Sequence, residues 1–190
     1  MRMTMTQRGS AKFQYGRDAG ETGFAGAGRG KAEAAESAQT TTVTYSDEAI
    51  SELVYMIEEE KLAGDVYEAF YDMYGTAIFN NIAQSEDRHF DALITQAENI
   101  GIDTDTDTFI FAEAGNFEND ELQELYDSLV EAGSASLTAA LEVGVLIEEK
   151  DMVDINNAID QVEGTTLAAV YENLLMGSSF HLDAFEGMLA

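Results

Sequence analysis

The chain contains no cysteine, no proline and no tryptophan, and its 190 residues include only two histidines and nine lysines and arginines. Without cysteine there can be no disulfide, thiolate zinc site, iron–sulfur cluster or cysteine nucleophile. Any bound metal must then be held by carboxylate and imidazole, a donor set that suits iron, manganese or zinc. Without proline nothing interrupts long helices. No run of eighteen apolar residues occurs, so no membrane-spanning helix is expected.

What the chain has in excess is acid. Asp and Glu total 37, for a net charge of −28. The imbalance is uneven. Arg2, Arg8, Lys12, Arg17, Arg29 and Lys31 are six of the nine cations, and from Ser46 onward only Lys61, Arg88 and Lys150 stand against 33 acids. Such a surface repels nucleic acid and anionic membranes, which excludes both as partners. With so few lysines it reads as adaptation to a high-salt cytoplasm, where salt screens the repulsion over short distances. An ordinary acidic protein is the plainer alternative.

Residues 1–43 are rich in Gly, Ala, Ser and Thr, with few large apolar side chains and no periodicity, and read as a disordered tail. No apolar segment follows their positive charges, so a secretory signal is not expected. Residues 44–190 carry helical periodicity throughout. Helix one is expected over about 46–74, capped by Thr44 or Ser46 and stopped at Gly75, with Ile50, Leu53, Ile57, Ala63, Gly64, Tyr67, Phe70 and Tyr71 on its apolar face. Glu60 falls on that face; Glu58 and Glu59 fit it less well. Helix two is expected over about 77–99. The Asp103, Asp105, Asp107 loop that follows lacks the glycine and closing glutamate of an EF-hand. A short helix is expected over 119–132 with Gly133 as its stop, a third long helix over 134–162, and a fourth from 165 to the end, with His181, Phe185 and Met188 on its apolar face. The fold class is therefore all-α, a four-helix bundle with a short extra helix between helices two and three.

Glu86 precedes His89 by three residues, which on a helix brings their Cβ atoms to about 5–6 Å on one face. In so acidic a chain that spacing arises readily by chance, so its weight depends on partners. The chain supplies them. The segment His89-Phe90-Asp91-Ala92-Leu93 is echoed by His181-Leu182-Asp183-Ala184-Phe185, and Ile57-Glu58-Glu59-Glu60-Lys61 by Ile147-Glu148-Glu149-Lys150. Acidic and histidine helices alternate, as in two similar hairpins. One Glu from each of two helices and Glu-x-x-His from each of the other two is the ligand set of di-iron carboxylate bundles. Glu60, Glu86, His89, Glu148 and His181 match it, but position 178, where Glu is expected, is Ser. Asp151, one turn beyond Glu148, is the candidate for the missing carboxylate.

These residues resemble the ferritin-like superfamily. Glu60-Lys61-Leu62-Ala63 with Tyr67, and Phe79, Ile82, Ala83 and Glu86-x-x-His89, are similar to the first two ligand helices of rubrerythrin and bacterioferritin. Over about 46–190 the chain more closely resembles the ferritin-like family called domain of unknown function 2202, through Glu58 to Ala63, Asn81-Ile82-Ala83-x-Ser85-Glu86-x-x-His89, Gly144 with Ile147-Glu148-Glu149, and Ser178-x-x-His181-Leu182-x-Ala184-Phe185. The resemblance implies a ferritin-like bundle with a non-haem site for two iron ions, with manganese or zinc as alternatives. In that site Glu86 would bridge, His89 and His181 would each serve one ion, and Glu60 and Glu148 would be terminal ligands. Tyr67 or Tyr171 would order a ligand or carry an electron. The implied activity is oxidation of Fe(II) with reduction of O2 or peroxide, using an external electron donor, because the cysteine-bound iron of rubrerythrin is absent. A homo-oligomer is compatible with this picture. Two other functions compete: non-enzymatic metal binding or iron sequestration, and a metal-free helical interaction module whose histidines are satisfied by carboxylates.

Overall fold

The structure is a computed structural model that describes residues 43–102, 113–117 and 119–190. The tail expected over 1–43, apart from Val43, and the loop Asp103 to Asp107 lie outside the described residues. The described residues form five helices and no strand: α1 (Asp47–Tyr74), α2 (Ala77–Asn99), α3 (Asp120–Gly133), α4 (Leu137–Gln161) and α5 (Thr166–Leu189). No helix among them is long and apolar enough to cross a membrane.

Local chemistry sets the helix ends. At α1 the Ser46 hydroxyl, not Thr44, accepts from the Ala49 N–H at 3.1 Å. Asp47 and Glu48 then meet the positive end of the helix dipole. Gly75 ends α1 at φ 64°, a left-handed conformation that glycine adopts without steric cost. Asn119 caps α3, Ser136 caps α4 and Thr165 caps α5, each through its side-chain oxygen. The Ser136 cap is why α4 begins at Leu137, three residues later than the periodicity suggests. Gly133 does not stop α3 but is its last helical residue. A Cβ there would lie 2.1 Å from the Phe70 ring, so that glycine answers to packing.

The two short connections, 75–76 and 162–165, fold α1 on α2 and α4 on α5 as hairpins. The hairpins meet with α1 against α4 and α2 against α5, and α3 lies on α1 and α4. The result is a helical bundle with an added fifth helix. Its interior is layered. One apolar cluster holds Leu53, Met56, Ile57, Leu93, Ile155, Tyr171 and Leu174. A second holds Leu62, Tyr67, Phe70, Phe79, Ile82, Ile147 and Phe185. On every long helix the chemistry-bearing residues fall between the two: Glu58 to Glu60 on α1, Glu86 and His89 on α2, Glu148 and Asp151 on α4, Ser178 and His181 on α5.

Three expected core residues are not in the core: Tyr71 is 39% exposed, Met188 49%, and Leu137, expected on the apolar stripe of the third long helix, 37% as the first residue of α4. Glu58 and Glu59, by contrast, are buried together with Glu60. A single apolar stripe assumes one buried face, whereas α1 is flanked by α2, α3 and α4.

Candidate metal centre

Glu60, Glu86 and Glu148 are each only 2% exposed, so their carboxylates answer to one another and to the histidines, not to water. Glu86 lies between the two imidazoles: its Oε2 is 2.7 Å from His89 Nδ1 and its Oε1 is 2.8 Å from His181 Nδ1. His89 Nδ1 is also 3.2 Å from Glu60 Oε2, and His181 Nδ1 is 3.5 Å from Glu148 Oε2. The two rings stack with centroids 5.6 Å apart. Tyr67 donates its hydroxyl to Glu148 Oε1 at 2.6 Å. Two groups of three ligand atoms result, Glu60–Glu86–His89 and Glu86–Glu148–His181. Within each group all atoms lie within 4.8 Å of one another, close enough to share an ion.

Several of these atoms make no hydrogen bond inside the protein. Glu60 Oε1, Glu86 Oε1 and His181 Nδ1 are buried without a hydrogen bond. The last two are 2.8 Å apart, yet the contact lacks hydrogen-bond direction. Buried polar atoms left unpaired are costly. Buried carboxylates and imidazoles grouped this closely suit a shared cation.

The electrostatics of the metal-free cluster fit this. Burial by itself pushes the Glu86 carboxyl up, but the His181 and His89 imidazoles outweigh it and hold it at about 2. Burial disfavours charge on His89, but Glu60 and Glu86 raise it to about 10; Glu148 and Glu86 likewise raise His181 to about 9. Burial lifts Glu148 to about 6, and lifts Glu60 well above the carboxylate range, with the neighbouring Asp151 carboxyl adding to it. Without other cations the cluster keeps protons on its imidazoles and on its remaining carboxyls.

Asp151 is not brought into either group. Its Oδ2 accepts from the Ser178 hydroxyl, which also bonds the Leu174 carbonyl at 3.1 Å. Burial raises the Asp151 carboxyl to about 8. Ser178 and Asp151 thus satisfy each other beside the cluster. Tyr171 lies in the other apolar layer, with its buried hydroxyl unpartnered. Two features were missed in the sequence. Glu59 reaches across to Lys150, which also bonds Asp154, its i+4 neighbour; only that second spacing was legible. Gly177 lies against His89, where a Cβ would come within 2.6 Å of Nε2. Helical glycine carries no signal of what it adjoins.

A profile described as "Uncharacterized protein domain (DUF2202)" matches residues 49–189, a span that includes every residue of the cluster. The chain belongs to the DUF2202 family. It is 40% identical over 146 residues to the uncharacterized protein MJ0754 of Methanocaldococcus jannaschii, covering 76% of each chain. It is similar in fold to the crystal structure of hypothetical protein MJ0754 from Methanococcus jannaschii, with a TM-score of 0.71 over 77% of this chain and 82% of that one. Neither the DUF2202 description nor these names carry an activity, so function rests on the cluster itself.

Proposed function

We propose that the bundle is ferritin-like in arrangement and that its polar layer holds two divalent metal ions, most naturally iron, in a carboxylate protein that oxidises Fe(II) and reduces O2 or peroxide. The observation that carries this reading is Glu86, buried, with one oxygen beside each of two histidine Nδ1 atoms, one of those contacts making no hydrogen bond. Glu86 would bridge. His89 with Glu60 and His181 with Glu148 would complete the two ends. Iron held there would supply one-electron chemistry, two Fe(II) being enough, with two protons, to reduce one peroxide to two waters.

The chain's own residues do the rest. Tyr67 holds Glu148 Oε1 and so orients Oε2 toward the His181 end. The apolar layers above and below keep bulk water from the cluster, which strengthens each electrostatic contact within it. The Ser178 hydroxyl holds Asp151 in place beside the cluster, and the Asp151 carboxyl can carry a proton near neutral pH. No cysteine is available to relay electrons, so turnover requires an external donor.

A second reading has a specific observation behind it. The same distances suit imidazolium ions paired with carboxylates, which would make the layer a metal-free structural element. Metal analysis of protein purified without added metal separates the two. The expected result is two ions per chain, an upward thermal shift with Fe(II) or Mn(II), and an optical change when Fe(II) protein meets peroxide. Under one equivalent bound with no thermal shift sinks the metal reading. Uptake without turnover would leave a sequestering protein.

A further inference from the structure

α3 does not close fully on the helices beneath it. Of its apolar residues Leu122 is buried, while Leu125, Tyr126 and Leu129 are only partly so. Between α1, α3 and α4 lies a cavity of about 240 Å³, walled by Leu62, Leu122, Leu125 and Ile147. Protein interiors rarely keep voids larger than a water molecule, and apolar cavities of this order take up small apolar molecules. At about 30 Å³ per water-sized group, the space suits a ligand on the order of eight non-hydrogen atoms. Leu146, 57% exposed, lines it too and places an opening at the surface of α4.

One part of the wall is polar: Glu59, Lys150 and Asp151. The Lys150 ammonium is already engaged by Glu59 and by Asp154. The Asp151 carboxylate is engaged by Ser178. Glu59 is buried and uses Oε1 for Lys150, and its Oε2 has no hydrogen-bond partner. The open position is therefore an acceptor, and it calls for a ligand that donates. A chain of net charge −28 disfavours an anionic head group.

We propose that this cavity is a binding site for a small neutral amphiphile: an apolar body of about eight heavy atoms carrying one hydroxyl, the hydroxyl donating to Glu59 and the body lying along Leu62, Leu122, Leu125 and Ile147. The site rests on the cavity and on Glu59, not on bound metal, so it is tested on the metal-free protein. The probes are 1-heptanol and heptanoate, titrated calorimetrically. 1-Heptanol is expected to bind at one site, about tenfold or more tighter than heptanoate. Leu125→Trp, which fills the cavity from α3, should abolish binding while leaving helix content by circular dichroism unchanged. Glu59→Gln, which replaces one acceptor oxygen with a donor, should erase the preference for the alcohol. Absence of saturable 1-heptanol binding, heptanoate binding the tighter of the two, or 1-heptanol binding unchanged in Glu59→Gln and in a folded Leu125→Trp would each overturn the proposal.

Discussion

Glu86 meets both histidines with a single carboxylate, one oxygen beside each ring. A Cβ at Gly64 would stand 3.5 Å from the Glu86 Cβ, an ordinary contact. Gly177 is the stricter position, because a Cβ there would stand 2.6 Å from His89 Nε2. Gly177→Ala is therefore expected to push His89 away from Glu60 and Glu86, at a cost of about 1–3 kcal/mol in stability. It should also weaken metal binding at the Glu60–Glu86–His89 end while sparing the other. Metal stoichiometry and denaturant unfolding check both; an alanine variant with full stoichiometry and unchanged midpoint would refute the role given to Gly177. At this scale the cluster was largely legible. Glu-x-x-His, its histidine echo and two glutamates at the right helical phase named five of its members. Asp151 could be placed next to the cluster by counting turns, but counting does not show that its carboxylate bonds Ser178.

Helices were legible because their signals are local. Ser46, Asn119, Ser136 and Thr165 each cap the helix that follows within three residues, and Gly75 stops α1 with its own backbone. How many faces a helix buries is not local. α1 was read with one apolar stripe, yet α3 and α4 also pack on it, and Glu59, paired with Lys150 of α4, is buried. The seat of α3 depends on Gly133, which admits the Phe70 ring and whose carbonyl accepts from Tyr74 at 2.6 Å. Gly133→Ala would gain helix propensity of about 1 kcal/mol if the site were free. Here it should destabilise instead and lift the end of α3 from α1. Loss of protection in hydrogen exchange over 120–133 would register the change, and a stabilised alanine variant would contradict it.

For the whole molecule, the buried polar layer ties stability to pH. Asp151 is raised to about 8 and His89 and His181 to about 10 and 9. A carboxyl raised in the folded state binds a proton that the unfolded chain has already lost, so Asp151 costs stability progressively as pH climbs from its ordinary value to about 8. The raised histidines contribute stability that is complete below about 6.5 and is lost as pH rises through 9 to 10. Glu86, held at about 2, contributes above its ordinary value and is lost only as pH falls toward 2. Between pH 5 and 9 these terms share one sign, so the metal-free protein is expected to lose stability as pH rises. Divalent metal competes with those protons, so the thermal shift on adding Mn(II) should grow from pH 5.5 to pH 8. Thermal melts with and without metal at both values check this. A shift that shrinks with pH would oppose metal binding at the cluster.

From sequence alone, the absence of cysteine limits metal ligands to carboxylate and imidazole, and the absence of proline with steady 3.6-residue periodicity sets long helices with caps at readable places. Those properties depend on residues a few positions apart, so the chain order contains them. Which oxygen of Glu86 meets which histidine, the pairing of Asp151 with Ser178, the burial of Glu59 and the cavity under α3 depend on helices far apart in sequence meeting at particular angles. Only the packed bundle decides them, because side-chain partnership across helices is set by interhelical distance and rotation, which periodicity along one helix does not specify.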